Sequence, residues 1–321
     1  MALCNLQYPQ GSNHYTILCK LNFPQRHDKQ TEETAPAKLR RLLSGKGILQ
    51  APGVFNPLVA LCAEQEGFEV AYISGAAFSA SKGLPDLGLF TLSELSVTVR
   101  EITRATRLAL IVDIDTGFGE ALNVARTIRE IEEVGAAAVQ IEDQVMPKKC
   151  GHLNGKALIP AEEMIEKIRA CKASAKELVI IGRTDARGVI GIEETVRRAN
   201  LYIEAGADVI FPEALEIKEE FEYVAKHVKA PLLANMTEFG KTPYFSSTEF
   251  EAMGYKIVIY PVTSLRVAMK AVENVFKEIK NTGTQKNFES EMQTRKELYE
   301  LIRYHEYESF DMSFRQKESF R

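Results

Sequence analysis

The sequence lacks the features that mark membrane and secreted proteins. No apolar run approaches the roughly 18 residues of a membrane span. The N-terminus has no basic stretch followed by an apolar one, as a signal peptide would have. The five cysteines are odd in number and scattered over 321 residues, which favours reduced thiols over a disulfide framework. We therefore expect a cytoplasmic protein with no membrane partner.

Positive charge is not in excess either. Forty Lys and Arg residues stand against 44 Asp and Glu residues, which gives a net charge of −4. A protein that binds the phosphate backbone of a nucleic acid normally carries a basic surplus, so a nucleic acid is not an expected partner. Hydrophobic residues make up 45% and charged residues 26% of the chain, as in ordinary globular proteins, which excludes disorder of the whole chain.

A Gly-x-Gly-x-x-Gly motif, typical of open dinucleotide-binding sheets, is also missing. Short runs of Val, Ile, Leu and Ala instead alternate with amphipathic stretches, which predicts parallel strands and helices. Eight such runs are present, the number that a closed (β/α)₈ barrel, or TIM barrel, requires. A doubly wound open sheet is the alternative. The expected strands are Ile48–Ala51, Glu69–Ser74, Leu108–Asp113, Ala137–Glu142, Leu178–Arg183, Val209–Pro212, Leu232–Asn235 and Lys256–Tyr260.

The chain is expected to have three segments. Residues 1–36 are polar and without periodicity, which predicts a loosely ordered arm, residues 37–282 form the α/β barrel, and residues 283–321 form a C-terminal helical extension. Within the extension, apolar residues of Thr284–Tyr307 recur at near-helical spacing and must pack on the barrel exterior or on another subunit. The clearest barrel helices are Leu92–Thr106, Ala121–Val134, Ala161–Cys171, Glu193–Ala205 and Leu265–Ile279.

Polar residues follow nearly every expected strand. They are Ser74 with Gly75, Asp113 with Asp115, Glu142, Arg183 with Asp185, Glu213, and Asn235. In a barrel the carboxyl ends of the strands meet at one mouth, where the active sites of this fold lie. This distribution favours the barrel over the open sheet and predicts a single active site.

Asp113 and Asp115 are the candidate metal ligands. They lie two residues apart at a strand end, so both side chains point the same way. Two carboxylates aimed together favour Mg²⁺, which prefers one or two carboxylates with waters and substrate oxygens, and Glu142 or Glu213 could hold those waters. The alternative is that the two acids cap helices or pair with lysines.

The loop Lys148-Lys149-Cys150-Gly151-His152 carries the candidate catalytic thiol. Two ammonium groups and an imidazole next to Cys150 are expected to favour its thiolate, which makes it an acid or base near neutral pH. The alternative is a solvated pair of loop lysines and a surface histidine.

Arg183 is the candidate ligand for a substrate carboxylate, because a guanidinium can bind one through two hydrogen bonds. An internal salt bridge with Asp185 or Glu213 is an equally weighted alternative. Neutral donors are expected from Ser74, the Gly75 backbone N–H, Asn235 and Thr237. A mouth with a cation, an arginine and many donors is suited to a small polycarboxylate.

Strings spread along the chain resemble those of the isocitrate lyase/phosphoenolpyruvate mutase superfamily, and within it those of the methylisocitrate lyases. They are Tyr72-Ile-Ser-Gly75, Gly83-Leu-Pro-Asp86, Val112-Asp-Ile-Asp115, Lys148-Lys-Cys-Gly-His152, Gly182-Arg-Thr-Asp185, Phe211-Pro-Glu-Ala214 and Leu233-Ala-Asn-Met-Thr-Glu-Phe-Gly240. The resemblance implies a (β/α)₈ barrel whose last helix is exchanged between subunits, usually in a homotetramer. It also implies Mg²⁺-dependent cleavage of 2-methylisocitrate to pyruvate and succinate, a step of propionate catabolism in the methylcitrate cycle.

The resemblance also implies a role for each site residue. Asp113 and Asp115 would hold Mg²⁺, with Glu142 in its water shell. Cys150 would give a proton to the succinate carbanion. The pyruvate half would be bound by Tyr72, Ser74, Gly75 and Arg183, and the succinate carboxylates by Gly151, His152, Asn235 and Thr237. Glu213 and Lys148 would be supporting polar groups, Ala76 would line the substrate site, and Phe211 and Pro261 would contact the extra methyl group.

The substrate has alternatives within the superfamily. The string Lys148–His152 is more typical of isocitrate lyases, and Gln140 stands where many methylisocitrate lyases have His. The chain lacks the insertions that make isocitrate lyases longer, which favours methylisocitrate. Phosphoenolpyruvate mutases and phosphonopyruvate hydrolases normally lack the Cys-Gly-His loop. A non-catalytic binding barrel would have lost the metal acids or the thiol, and both are present.

Overall fold

The computed structural model describes residues 33–315 and contains all eight expected strands. They are β1 (Leu49–Pro52), β2 (Val70–Ile73), β3 (Ala109–Asp113), β4 (Ala138–Glu142), β5 (Val179–Thr184), β6 (Val209–Pro212), β7 (Leu233–Asn235) and β8 (Ile257–Tyr260). Each strand lies within its predicted run or extends it by a single residue. The prediction of the strands from their apolar runs is therefore confirmed.

The strands are parallel and follow one another in a ring. Strands β2 to β6 pair in chain order, and β8 pairs with both β1 and β7. Isolated parallel bridges from Gly53 to Tyr72 and from Ile210 to Leu232 link the two sheets at both sides. This order excludes the doubly wound open sheet and agrees with the expected α/β architecture of the barrel type.

Helices follow the strands along the chain. They are α1 (Ala35–Ser44), α2 (Pro57–Gln65), α3 (Gly75–Ser81), α4 (Leu92–Ala105), α5 (Ala121–Glu133), α6 (Ala161–Ser174), α7 (Ile192–Ala205), α8 (Lys218–His227), α9 (Ser247–Ala252) and α10 (Thr263–Thr282). The five helices that the sequence predicts most clearly are confirmed as α4, α5, α6, α7 and α10. None of the helices between residues 33 and 315 is long and apolar enough to cross a lipid bilayer.

Side chains of the strands alternate between two apolar layers. Ala109 and Ile111 of β3 belong to the inner layer, whereas Leu110 and Val112 belong to the outer layer, which packs beneath the helices. Since both faces are buried, the strands have no polar face to interrupt them in sequence. This burial is the physical reason that they can be read as continuous apolar runs.

Helix α1 packs against the amino end of the ring and is not predicted by the sequence. Its Leu39 is fully buried in the inner layer, and Lys38 Nζ donates to the Arg107 carbonyl at 2.9 Å, just before β3. The helix begins at Ala35, where the Thr34 hydroxyl accepts the N–H of Ala37 at 3.3 Å. The last residues of the predicted arm 1–36 therefore belong to α1, and residues 1–32 lie outside the described part of the chain.

Helix α10 ends at the expected boundary of the extension. Gly283 follows it with a φ of +77°, a left-handed conformation that favours glycine and ends the helix. Of the α10 residues, all of which are described, Leu265 alone is buried. Apolar side chains that remain exposed on this helix are Val267, Met269, Phe276 and Ile279.

The predicted apolar stripe Thr284–Tyr307 does not form one helix. Residues 286–291 form a 3₁₀ helix, and a separate unit beginning at Gln293 contains α11 (Arg295–Leu301) and α12 (Tyr304–Arg315). Within this unit, the rings of Tyr299 and Tyr304 stack with centroids 4.3 Å apart. The Thr294 hydroxyl caps α11 by accepting the N–H of Glu297 at 3.2 Å.

Candidate active site

A cavity lies at the carboxyl ends of the strands. Most of the predicted site residues line it, namely Tyr72, Ser74, Ala76, Asp113, Lys148, Cys150, Gly151, His152, Arg183, Phe211, Glu213, Asn235, Thr237 and Pro261. The other three, Gly75, Asp115 and Glu142, contact lining residues directly. The structure thus brings together side chains that are up to about 190 residues apart, as expected for one mouth.

The acidic pair lies against the backbone at the start of α3. Asp113 accepts the N–H of Gly75 at 2.9 Å through Oδ2 and the N–H of Asp115 at 3.0 Å through Oδ1. A Cβ on Gly75 would lie 2.8 Å from Asp115 Oδ1 and 3.1 Å from Asp113 Oδ2. Glycine is therefore needed at position 75, because any larger residue would push the two carboxylates apart.

Lys148 balances the negative charge of this pair. Its Nζ lies 2.9 Å from Asp115 Oδ1 and also donates to Asp86, and its side chain is almost fully buried. Burial raises the pKa of Asp115 to about 7, although Lys148 acts in the opposite direction. Burial also opposes the charged form of Lys148, but Asp115 and Glu142 together raise the pKa of the lysine well above its ordinary value. The expected alternative of a carboxylate–lysine pair is thus realised at Asp115.

The oxygen donors at this site fit Mg²⁺. Neither carboxylate oxygen of the buried Glu142 has a hydrogen-bond partner, and burial raises the pKa of Glu142 well above its usual range. Residues 33–315 contain no cluster of three or more His, Cys, Asp or Glu side chains with metal-binding geometry. Mg²⁺ needs only one or two carboxylates when waters and substrate oxygens complete its shell. Asp113 and Asp115, with Glu142 behind them, meet that requirement.

Cys150 lies on a loop that is clamped at its base. The side-chain amide of Gln144 accepts the N–H of Lys149 at 2.9 Å and donates to the Lys149 carbonyl at 2.8 Å. Gln144 also forms an antiparallel bridge with Leu158, which closes the base of the loop. These bonds place the half-buried Cys150 at the wall of the cavity.

The expectation that nearby cations favour the Cys150 thiolate is wrong. Burial raises the pKa of Cys150, although the backbone N–H of His152 acts in the opposite direction. The two lysines cannot compensate, because Lys148 is paired with Asp86 and Asp115, and Lys149 donates to the Gly155 carbonyl at 2.9 Å. Cys150 is therefore a protonated thiol at neutral pH, which suits an acid.

Arg183 is fixed by an internal salt bridge and still lines the cavity. Its Nε and NH2 donate to Asp185 at 2.9 and 3.2 Å, and NH1 lies 3.3 Å from Glu142 Oε2. Burial opposes the charge on Asp185, but Arg183 and Lys156 lower the pKa of this carboxyl to about 2. The internal salt bridge with Asp185 is thus present, and the binding of a substrate carboxylate by Arg183, which lines the cavity, stays a prediction.

A second layer of buried polar groups supports Asp185. Asp143 accepts the N–H of Asp185 at 3.0 Å and the hydroxyl of Thr184 at 2.7 Å. The same carboxylate accepts from Tyr202 at 2.7 Å and from Arg198 at 3.1 Å. A buried carboxylate with this many donors holds the end of β5 rigidly.

His152 has its tautomer fixed by its neighbour on another loop. The backbone N–H of Lys241 donates to His152 Nδ1 at 2.9 Å, so the ring proton is on Nε2. Nε2 faces Glu213 Oε1 at 3.5 Å on the cavity side. His152 therefore accepts a hydrogen bond at Nδ1 and directs Nε2 to the cavity.

Four lining residues are not among the predicted site residues. They are Asp86, Ile259, Val262 and Arg266. Asp86 lies in the string Gly83–Asp86 that the resemblance includes, and its carboxylate is the partner of Lys148. Arg266 lies in the first turn of α10, directly after β8, and its NH1 donates to the Glu238 carbonyl at 3.1 Å. Its position just after the last strand of the barrel is the sequence signal that could have found it.

A ring of parallel strands with acids, an arginine and a thiol around one mouth defines an α/β enzyme of the barrel type. The chain belongs to the phosphoenolpyruvate phosphomutase family, whose model matches residues 39–280.

Individual relatives are similar over most of the chain. A 2-methylisocitrate lyase of Aeropyrum pernix is 58% identical over 279 residues, which cover 87% of this chain and 91% of that protein. A crystal structure of 2,3-dimethylmalate lyase, from the PEP mutase/isocitrate lyase superfamily, matches with a TM-score of 0.83 at 35% identity, covering 88% of this chain and 96% of that one. Phosphonopyruvate hydrolase in complex with oxalate and Mg²⁺ matches with a TM-score of 0.76 at 32% identity, covering 90% and 99%.

Proposed function

We propose that this protein is a Mg²⁺-dependent carbon–carbon lyase that cleaves 2-methylisocitrate to pyruvate and succinate. The observation that carries the proposal is that the acidic residue Asp113 and the protonated thiol Cys150 line the same cavity. The 58% identity to a 2-methylisocitrate lyase over most of both chains supports the choice of substrate.

The pyruvate half of the substrate would lie between the acidic pair and Arg183. Asp113 and Asp115 would hold the metal, which when bound supplies Lewis-acid stabilisation of negative charge on the keto-acid half. Asp185 accepts hydrogen bonds from two nitrogens of Arg183, and Glu142 forms an ion pair with the third, so the guanidinium would be oriented for a substrate carboxylate. Tyr72 and Ser74 lie at the end of β2 in the same wall.

The alkoxide formed when the substrate hydroxyl gives its proton to water would become the keto group of pyruvate as the C–C bond breaks. Cys150 would donate its proton to the succinate carbanion that receives the bonding electrons, and the thiolate would then regain a proton from water. A thiol whose pKa is raised by burial is present in the acid form that this step requires. The thiolate that remains is stabilised by the backbone N–H of His152. Donation by a fixed acid traps the carbanion before the bond can re-form.

The succinate carboxylates would be bound by neutral donors. His152 presents its Nε2 proton, and Asn235 and Thr237 line the same side of the cavity. The apolar wall of Phe211, Ile259, Pro261 and Val262 offers a surface for the extra methyl group of 2-methylisocitrate. One methyl group discriminates by only about 1–3 kcal/mol, so the preference over isocitrate is expected to be modest.

The test is a comparison of both substrates with the purified protein and Mg²⁺. Pyruvate from 2-methylisocitrate and glyoxylate from isocitrate are measured side by side under the same conditions. We expect a higher kcat/KM for 2-methylisocitrate. Faster turnover of isocitrate would overturn the assignment of the substrate, and no cleavage of either would overturn the lyase activity.

We also propose that the protein is a homotetramer in which α10 is exchanged between subunits. The support is the row of exposed apolar residues Val267, Met269, Phe276 and Ile279 on a helix that buries Leu265 alone. Light scattering on the purified protein is expected to give the mass of four chains of 35.9 kDa each. Phe276→Glu is expected to lower the measured mass. A single-chain mass for the unaltered protein would contradict this assembly.

A further inference from the structure

Lys156 is a buried cation that the proposed chemistry leaves without a role. Its side chain is only 2% exposed, although lysine is almost never fully buried unless it is paired. Its Nζ donates to Asp185 Oδ1 at 2.9 Å and also to the Gly151 carbonyl. Residues 151 and 156 lie on opposite limbs of the same loop, so one ammonium group joins both limbs to the end of β5.

Backbone hydrogen bonds hold the loop near Lys156, whereas the side chain of Gln144 holds the limb that carries Cys150. On the returning limb, the Ala157 carbonyl accepts the N–H of Val145 at 2.8 Å, and Leu158 bridges to Gln144. Between Cys150 and Lys156, the backbone makes one internal turn bond, from the Leu153 N–H to the Cys150 carbonyl at 2.9 Å. The Gly151 carbonyl belongs to the peptide group between Gly151 and His152, so its bond to Lys156 holds the backbone directly after Cys150.

The other end of the contact is rigid. Asp185 is held by Asp143 through its backbone N–H and pairs with Arg183 through both carboxylate oxygens. Gly188, on the turn after Asp185, packs so closely that an added Cβ would lie 3.3 Å from Lys156 Nζ. The ammonium therefore contacts a fixed carboxylate of the barrel on one side and the Gly151 carbonyl of the loop on the other.

We propose that Lys156 is a positioning residue that acts as a latch, because it bridges Asp185 of the barrel and the Gly151 carbonyl of the loop. The latch fixes the loop of residues 148–158 to the mouth of the barrel and so holds the Cys150 thiol over the substrate. The role in turnover rests on the proposed lyase function. Because Asp185 also orients Arg183, the latch joins the acid at one end of the substrate to the carboxylate-binding group at the other. The latch also excludes water from the cavity while the loop is closed.

The test compares Lys156→Met with Lys218→Met. The second lysine also pairs with a carboxylate, since its Nζ lies 3.4 Å from Glu222 Oε1, but its side chain is exposed on α8 and belongs neither to the loop nor to the cavity lining. Two quantities are measured: steady-state kcat and KM with 2-methylisocitrate, and the rate at which iodoacetamide alkylates Cys150, followed by peptide mass spectrometry so that Cys62 is counted separately.

For Lys156→Met we expect a fall in kcat of about 100-fold with a much smaller change in KM, as for a misplaced catalytic group. We expect alkylation of Cys150 to become about tenfold faster, because a loop that Lys156 no longer holds would open and expose the thiol to iodoacetamide. Lys218→Met is expected to leave both quantities near the values of the unaltered protein. Lys156→Arg, which keeps the charge, is expected to keep alkylation slow.

Unchanged kcat and unchanged alkylation in Lys156→Met would overturn the latch. Equal changes in Lys156→Met and Lys156→Arg would also overturn it, since they would point to packing and not to charge. Should Lys156→Met lose its cooperative thermal unfolding, Lys156→Gln replaces it with the same expectations. If the unaltered protein does not cleave 2-methylisocitrate, the proposed function fails, whereas the alkylation rates still decide on the latch.

Discussion

The backbone N–H of Lys241 donates to His152 Nδ1 at 2.9 Å, and Gly240 lies directly against the same imidazole ring. This contact joins the loop after β7 to the loop that carries Cys150. Because Nδ1 accepts this hydrogen bond, the ring proton is placed on Nε2, which faces the cavity. The orientation of His152 in the cavity therefore depends on a residue that is about 90 positions away in the sequence.

Gly240→Ala is expected to displace His152. An added Cβ would lie 2.8 Å from Nδ1, which is too close for the ring to keep its place. We expect kcat/KM to fall by about 10- to 100-fold, because a shift of about 1 Å in a binding group has effects of this size. Gly45→Ala, at the end of α1 with a φ of −73°, is the control and is expected to be near neutral. An unaltered kcat/KM in Gly240→Ala would show that the ring position is unimportant.

Cys150→Ser is expected to abolish proton donation while the substrate still binds. A serine hydroxyl is a far weaker acid than a thiol, so kcat should fall by about 10²- to 10⁴-fold, the usual contribution of a general acid. Pyruvate release and equilibrium binding of the substrate are measured together. Cys62→Ser alters an exposed cysteine on α2 and should have no effect. Full activity in Cys150→Ser would remove Cys150 from the acid role.

The pH profile should report the Cys150 acid. The thiol donates only when protonated, and burial raises its pKa. Activity is therefore expected to persist through neutral pH. It should be lost only as the pH rises through the raised pKa of Cys150, which lies above the ordinary thiol pKa of about 8.5. The measurement is kcat against pH at saturating substrate and Mg²⁺. An alkaline loss of activity centred near pH 7 would contradict a protonated resting thiol.

Removal of the metal ligands should remove activity. Asp115→Asn replaces one of the two carboxylates that face Gly75. We expect kcat/KM to fall by more than about 100-fold, because the loss of a residue that only orients a metal ligand already costs about 10- to 100-fold in activity. Mg²⁺ binding by calorimetry should weaken in parallel, and chelation followed by added Mg²⁺ should abolish and restore activity in the unaltered protein. Glu222→Gln, on the exposed face of α8, is the control. Full turnover in excess chelator would refute the metal dependence.

Helix α1 should stabilise the whole barrel. Leu39→Ala opens a cavity in the inner layer, where Leu39 is fully buried, and is expected to lower the free energy of unfolding by about 2–5 kcal/mol. Leu58→Ala, at an exposed position of α2, should change it by less than about 0.5 kcal/mol. Chemical denaturation of both variants gives the two values. Equal effects would mean that α1 is not part of the cooperative core.

Much of the site could be predicted because its signals are local in the sequence. The eight strands are buried on both faces and therefore show as continuous apolar runs. Asp113 is the last residue of one of them, and Asp115 follows it two residues later. The Cys150 loop is likewise a continuous string. These features depend on backbone periodicity and on neighbours in the chain, which a sequence displays directly.

The sequence alone determined the ring of strands, the acidic pair and the thiol loop. Only the tertiary structure decided the protonation of Cys150, the pairing of Lys148 with Asp86, the tautomer of His152 and the burial of Lys156. The physical reason is that the charge state and direction of a side chain depend on the solvent it loses and on partners that are distant along the chain. The burial of a single polar side chain and its pairing with a distant residue leave no periodic pattern in the sequence.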